Sequence, residues 1–160
     1  MKEQLIIAID LATKWHKGQR YGKLPYIAHL IDVDGWVIER NANVKSFGEP
    51  YSKEACDRID MLRATAYLHD VLEDTDCEVF DLVAAGICEE VVEAVVLLTK
   101  VEGEPYQTYL TMLMDNSLAR EVKICDTMAN LTQSVKKGNV KRITKYTRQL
   151  SILAKGEYHD

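Results

Sequence analysis

An all-α helical bundle is the fold this sequence predicts, and three observations predict it. Apolar residues recur at helical spacing through nearly every segment long enough to test. The intervals between those segments are short and rich in Gly, Pro, Asn and Asp. The β-branched run over 91–96 could be argued as a strand, but no partner strand exists elsewhere, so it too reads as helix.

Taken in order, residues 3–17 place Leu5, Ile6, Ile9, Ala12 and Trp15 or His16 on one stripe, and Gly18 stops the helix. Gly18 to Pro25 is turn-rich and locally basic. Its glycines would let backbone amides approach a phosphate, yet no Gly-Lys-Ser/Thr follows, so it reads as an inter-helix connection rather than a Walker loop. Ile27, Leu30, Ile31, Val33, Val37 and Ile38 give a second helix over 26–40, with His29 near its start. Asn41 to Pro50 is a polar connection, after which Ser52 caps a long helix running to about Glu73, with Ile59, Leu62, Ala66 and Leu68 on its apolar side. Thr75 or Asp76 caps a short helix over 78–84 that Gly86 stops, and Cys88 to Leu98 forms the next. Gly103-Glu104-Pro105 breaks the chain before a helix over 106–114. Asp115-Asn116-Ser117 then caps a helix over 118–135 that carries Lys123, Asp126 and Asn130. After a turn at 136–139, Val140 to Leu153 closes the chain with Ile143, Tyr146, Leu150 and Leu153 inward. Lys141, Arg142, Lys145 and Arg148 then form what reads as a solvated face. Residues 1–155 are expected to form one domain and 156–160 a flexible C-terminal end.

Composition narrows the function. A chain of 160 residues that is 47% hydrophobic and 28% charged fits one domain with a real core. The net charge of −5 argues against a general binder of nucleic-acid polymers or membrane surfaces and leaves small anions open. Cys56, Cys77, Cys88 and Cys125 show no C-x-x-C pairing, and no secretory leader is expected, so reduced thiols in a cytoplasmic protein are the expectation. No apolar run approaches a membrane span, and nothing in the pattern fixes an oligomeric state.

The chemistry concentrates in Leu68-His69-Asp70-Val71-Leu72-Glu73-Asp74-Thr75. On a continuous helix, positions 66, 69, 70 and 73 share a face, so His69, Asp70 and Glu73 would point one way and Leu68, Val71 and Leu72 into a core. Packing alone does not account for four such groups arriving together. His29, His69, Asp70 and Asp126 lie on three expected helices, which a bundle can bring around one interior point. Two imidazoles and two carboxylates suit Mn²⁺, Fe²⁺, Co²⁺ or Zn²⁺ with positions left for water and a phosphate oxygen. Hydrolysis follows, with Glu73 and Asp74 as the carboxylates available to take a proton from water. Asn130 shares a face with Asp126 and can hydrogen-bond the site or a ligand.

These residues resemble the HD phosphohydrolase superfamily, and within it the hydrolase domain of the RelA/SpoT proteins and their short stand-alone relatives. The matching blocks are Ala12-x-x-x-His16-Lys17-Gly18-Gln19, Pro25-Tyr26-Ile27-x-His29, Ala66-Tyr67 through Thr75, Leu98-Thr99-Lys100 and Val122 through Leu131. The resemblance implies an all-α HD-domain bundle that removes the 3′-pyrophosphate of guanosine tetra- and pentaphosphate. It implies Mn²⁺ on His29, His69, Asp70 and Asp126, and Glu73 and Asp74 positioning or activating the attacking water. Arg20, with Lys23 competing for its role, would contact the nucleotide base. Asn130 would line the nucleotide pocket and Lys123 would lie near phosphate. The family's Asp-Arg-x-His-Asn reads Asp126-Thr127-Met128-Ala129-Asn130, so an arginine and a histidine beside the site are lost, and Leu30 replaces the proline after the first histidine. The synthetase and regulatory domains of long members are expected to be absent. The partner is expected to be a small nucleotide or phosphoester. A nucleoside monophosphate phosphatase and a non-catalytic nucleotide sensor are the alternatives.

Overall fold

The computed structural model describes residues 2–42 and 52–156. Most of the polar connection expected over 41–50, and residues 157–160 of the expected C-terminal end, lie outside the described residues.

The bundle is built around α3 (Lys53–Leu68). Ser52 caps it as expected, its hydroxyl accepting the Ala55 amide at 3.2 Å. Ala64, Thr65, Ala66, Tyr67 and Leu68 are buried in succession, and the small side chains among them let neighbours approach from several sides. Four helices pack on it: α1 (Lys2–Trp15), α2 (Ile27–Asn41), α6 (Glu89–Leu98) and α8 (Ser117–Lys136). α9 (Val140–Leu153) lies along α8, while α5 (Val79–Ala84) leans on α6. α7 (Tyr106–Met112) runs into a tight turn, Leu113–Asp115, that rests on α8. The core divides into two clusters, and α3 feeds both: Leu62 and Ala66 join Val37, Leu98, Leu110 and Val122, whereas Ala64 and Leu68 join Leu30, Val71, Leu82 and Val91. Each buried leucine contributes about 1.5–3 kcal/mol. Among the described residues no helix is long and apolar enough to cross a membrane.

Local chemistry corrects several boundaries. The long helix expected over 52–73 is interrupted: α3 ends at Leu68, His69 and Asp70 form a turn, and a single-turn α4 (Val71–Asp74) follows. The cap of α5 is Glu78 rather than Thr75 or Asp76, because Asp81 returns its carboxylate to the Glu78 amide at 2.9 Å. Thr75 instead donates to the Val71 carbonyl at 2.6 Å and closes the turn before. The 18–25 connection contains an antiparallel pair, β1 (Arg20–Tyr21) with β2 (Leu24–Pro25), turned at Gly22 with φ 64°. Two residues per strand are too few to show alternation, so the hairpin left no periodic signal.

Candidate functional site

Three elements deliver the expected metal-type residues to one interior point. α2 presents His29 from its first turn, α8 presents Asp126 from its middle, and the turn after α3 presents His69 and Asp70. Consecutive residues on a continuous helix point about 100° apart, so the shared face expected for an unbroken helix could not have aimed His69 and Asp70 at the same place. The break achieves it: Asp70 adopts φ −106°, ψ −1°, and its Oδ2 lies 2.8 Å from His69 Nε2. That oxygen is 3.9 Å from His29 Nε2, while Asp126 Oδ1 is 3.3 Å from His29 Nε2 and 3.8 Å from His69 Nε2. Ligand atoms of His29, His69 and Asp126 all fall within 4.8 Å of one another, and the three residues are buried.

The donor set fits a divalent cation. His69 Nδ1 donates to the Ala66 carbonyl at 2.8 Å, which turns the lone pair of Nε2 toward Asp70 Oδ2. Two acceptors at that distance need a cation or a proton between them, and His69 Nε2 has no hydrogen-bond partner of its own. Burial pulls the His69 pKa down, but the Asp70 and Asp126 carboxylates outweigh it and lift the imidazole to about 9. Burial likewise opposes ionisation of Asp70, and His69 overcomes it, lowering the carboxyl to about 2. Asp126 is held far below the usual carboxylate range: burial acts against this, but Lys123 and the two imidazoles prevail.

Lys123, which the resemblance places near phosphate, lies against Asp126. Its Nζ lies 3.0 Å from Asp126 Oδ2 and 5.6 Å above the Tyr109 ring, with the side chain 15% exposed. Asn130 donates to Asp126 Oδ1 at 2.6 Å, as its shared face predicted, and its own oxygen accepts from Tyr21 Oη at 3.0 Å and Arg142 Nη2 at 3.2 Å. Arg142 is exposed, as expected of its face, yet its Nη2 also reaches Asn130 beside the cluster, steadied by Tyr146 Oη at 2.9 Å.

Glu73 and Asp74 stand at the exposed rim. Glu73 accepts the Lys100 amide at 3.2 Å, and Asp74 Oδ2 lies 3.1 Å from the Tyr26 hydroxyl. Arg20 and Lys23 lie exposed on the hairpin, apart from the buried cluster, with the Arg20 guanidinium folded back onto the Lys23 carbonyl. Thr127 and Ala129 are buried. Thr127 Oγ1 donates to the Lys123 carbonyl at 2.6 Å and accepts from Gln149 at 2.7 Å.

Sequence reasoning missed three residues. Tyr21 stacks on His29 with ring centroids 4.6 Å apart. Tyr26 Oη lies 2.5 Å from Asp70 Oδ2 and 3.1 Å from Asp74 Oδ2, and its one proton goes to the nearer oxygen. Arg142 is the third: it is exposed like its basic neighbours, and nothing in its helical periodicity marked its contact with Asn130. The adjacency of Tyr26 to Pro25 and His29 was the only signal for the second.

No protein-family model and no curated protein matches the chain. A solved structure does: that of a metazoan ortholog of SpoT, which hydrolyzes ppGpp and plays a role in starvation responses. It matches with a TM-score of 0.66 over 96% of this chain and 84% of that one, at 20% identity. The all-α bundle with its buried His/Asp cluster thus has the fold of that hydrolase.

Proposed function

We propose that this chain is a metal-dependent phosphohydrolase that removes the 3′-pyrophosphate of guanosine tetra- or pentaphosphate, or of a closely related nucleotide. The observation that carries the reading is the buried convergence of His29, His69 and Asp126, with Asp70 facing the His69 lone pair. The fold held in common with a ppGpp hydrolase supports the substrate. Residues 1–155 act as one domain in this reading, and four free cysteines suit a cytoplasmic setting.

His29, His69, Asp70 and Asp126 hold the ion; Mn²⁺ is favoured, and Fe²⁺, Co²⁺ or Zn²⁺ suit the same donors. A divalent ion bound there supplies a water of lowered pKa and polarises a phosphoryl oxygen. Glu73 and Asp74 accept the proton of the attacking water at the rim and pass it to solvent. As the water oxygen bonds to phosphorus, the bond to the ribose 3′ oxygen breaks, that oxygen takes a proton from solvent and pyrophosphate departs. Lys123 and Arg142 meet the charge gathering on the phosphoryl oxygens. They replace the cations that Thr127 and Ala129 cannot provide. Asn130 lines the nucleotide pocket with its amide holding Asp126 and Arg142 in place, and Arg20 and Lys23 on the hairpin contact the base.

The loss of arginine and histidine at positions 127 and 129 favours one second reading, a phosphatase acting on nucleoside monophosphates. Mn²⁺-loaded protein incubated with guanosine tetraphosphate and with monophosphates separates them: pyrophosphate as product supports the first and orthophosphate the second. Tight nucleotide binding without either product would make the chain a sensor.

A further inference from the structure

The end of α1, the base of the hairpin and the turn after α3 are tied into one piece by side chains that the metal reading leaves without a role. His16, only 4% exposed, stacks on Tyr26 with ring centroids 4.5 Å apart and planes 17° from parallel. Its Nδ1 lies 2.7 Å from Gln19 Oε1, and Gln19 Nε2 donates to the Asp74 carbonyl at 2.6 Å. The Tyr26 amide donates back to the Gln19 carbonyl at 3.0 Å. The ring of Tyr26 is therefore fixed in place and direction, and its hydroxyl reaches both Asp70 Oδ2 and Asp74 Oδ2.

We propose that Tyr26 is a positioning residue whose hydroxyl sets the orientation of the Asp70 carboxylate toward the metal, with His16 and Gln19 holding Tyr26. Asp70 sits on a turn with its side chain 20% exposed, so packing alone does not fix its rotation. The oxygen that receives the phenol is the one that faces His69 and His29. One lone pair is taken by Tyr26, and the other is left pointing into the cluster. The phenol is the donor of this pair, because an ionised carboxylate can only accept. Hydrogen bonds of this kind to a metal ligand are worth roughly 10- to 100-fold in metal affinity.

The inference rests on the metal reading, and the experiment separates the two. Tyr26→Phe keeps the ring and its stack on His16 and removes only the hydroxyl. Wild type and variant are titrated with Mn²⁺ by calorimetry and with Co²⁺ by visible absorption. The variant is expected to bind Mn²⁺ about 10- to 100-fold more weakly and to show an altered Co²⁺ band, while the metal-free Tm stays close to wild type. His16→Ala, which frees the ring without touching Asp70, is expected to shift both readings the same way by less, and it carries the comparison if Tyr26→Phe does not fold. Equal affinities and superimposable Co²⁺ spectra would overturn the positioning role alone. Wild-type protein that binds neither ion would overturn the metal reading and this inference with it.

Discussion

Lys123 Nζ lies 3.0 Å from Asp126 Oδ2, one turn away on α8, with the two side chains 15% and 9% exposed. Burial works against the charge on each, and each restores it in the other: Asp126 lifts Lys123 well above its ordinary range despite desolvation. Removing one partner strands the other. Asp126→Ala is therefore expected to lose metal and also to destabilise the fold, by about 3–5 kcal/mol for a broken buried pair. Lys123→Met added to it should recover most of the Tm without recovering metal. Elemental analysis beside thermal denaturation checks both, and full metal content in the single variant would remove Asp126 from the ligand set.

Metal binding should stabilise the folded state, because His29, His69 and Asp126 converge only there. At a Mn²⁺ concentration 100 times Kd the gain is about 2.7 kcal/mol, which for a chain of this size raises Tm by roughly 5–10 °C. Chelation should reverse the shift, and Asp126→Ala should abolish it. A Tm indifferent to Mn²⁺ in wild type would count against the site.

The pKa of His69, lifted to about 9 in the metal-free protein, makes metal binding pH-dependent. Below that value the imidazole carries a proton that the ion must displace, so affinity should climb about tenfold per pH unit from neutrality and level off near pH 9. Calorimetry in buffers of different ionisation enthalpy should detect one proton released near pH 7. A flat affinity over this range would mean that Nε2 is already free.

Arg142 donates to Asn130, which in turn donates to Asp126. Arg142→Ala is expected to raise KM by about 10- to 100-fold, as loss of a charge-assisted hydrogen bond costs roughly 1.5–3 kcal/mol, with kcat changed less. Steady-state kinetics across a phosphorylated panel measures it, and an unaltered KM would remove this residue from the substrate site.

Glu73→Gln keeps size and can still accept the Lys100 amide, but it cannot take a proton. Turnover is expected to fall by about 10²- to 10⁴-fold while metal content stays at the wild-type level. Single-turnover assays with metal analysis distinguish this from ligation, since a variant that loses its metal would make Glu73 a ligand.

The helical class and most element boundaries could be read from apolar periodicity, since each helix buries one stripe against its neighbours. The convergence of His29, His69 and Asp126 was legible because two imidazoles and a carboxylate carried by separate helical segments among apolar stripes have few other uses. What escaped was tertiary or too short to be periodic. Arg142 has the same helical spacing as Lys141 and Lys145, and only the packing of α9 on α8 turns it toward Asn130. Tyr26 reaches Asp70 across a gap in sequence that no local pattern spans. The break after Leu68 carries no Gly or Pro to announce it.

That break makes the length of α3 a constraint separate from its composition. From the Ser52 cap to His69 the helix acts as a ruler, and one added or deleted residue would swing His69 by about 100° and shift it by about 1.5 Å along the axis. Homologous chains can therefore be expected to differ in the residues facing away from α1, α2, α6 and α8 while preserving the count between that cap and the histidine. An insertion-scanning library read by metal retention should show a sharp silence across 53–68.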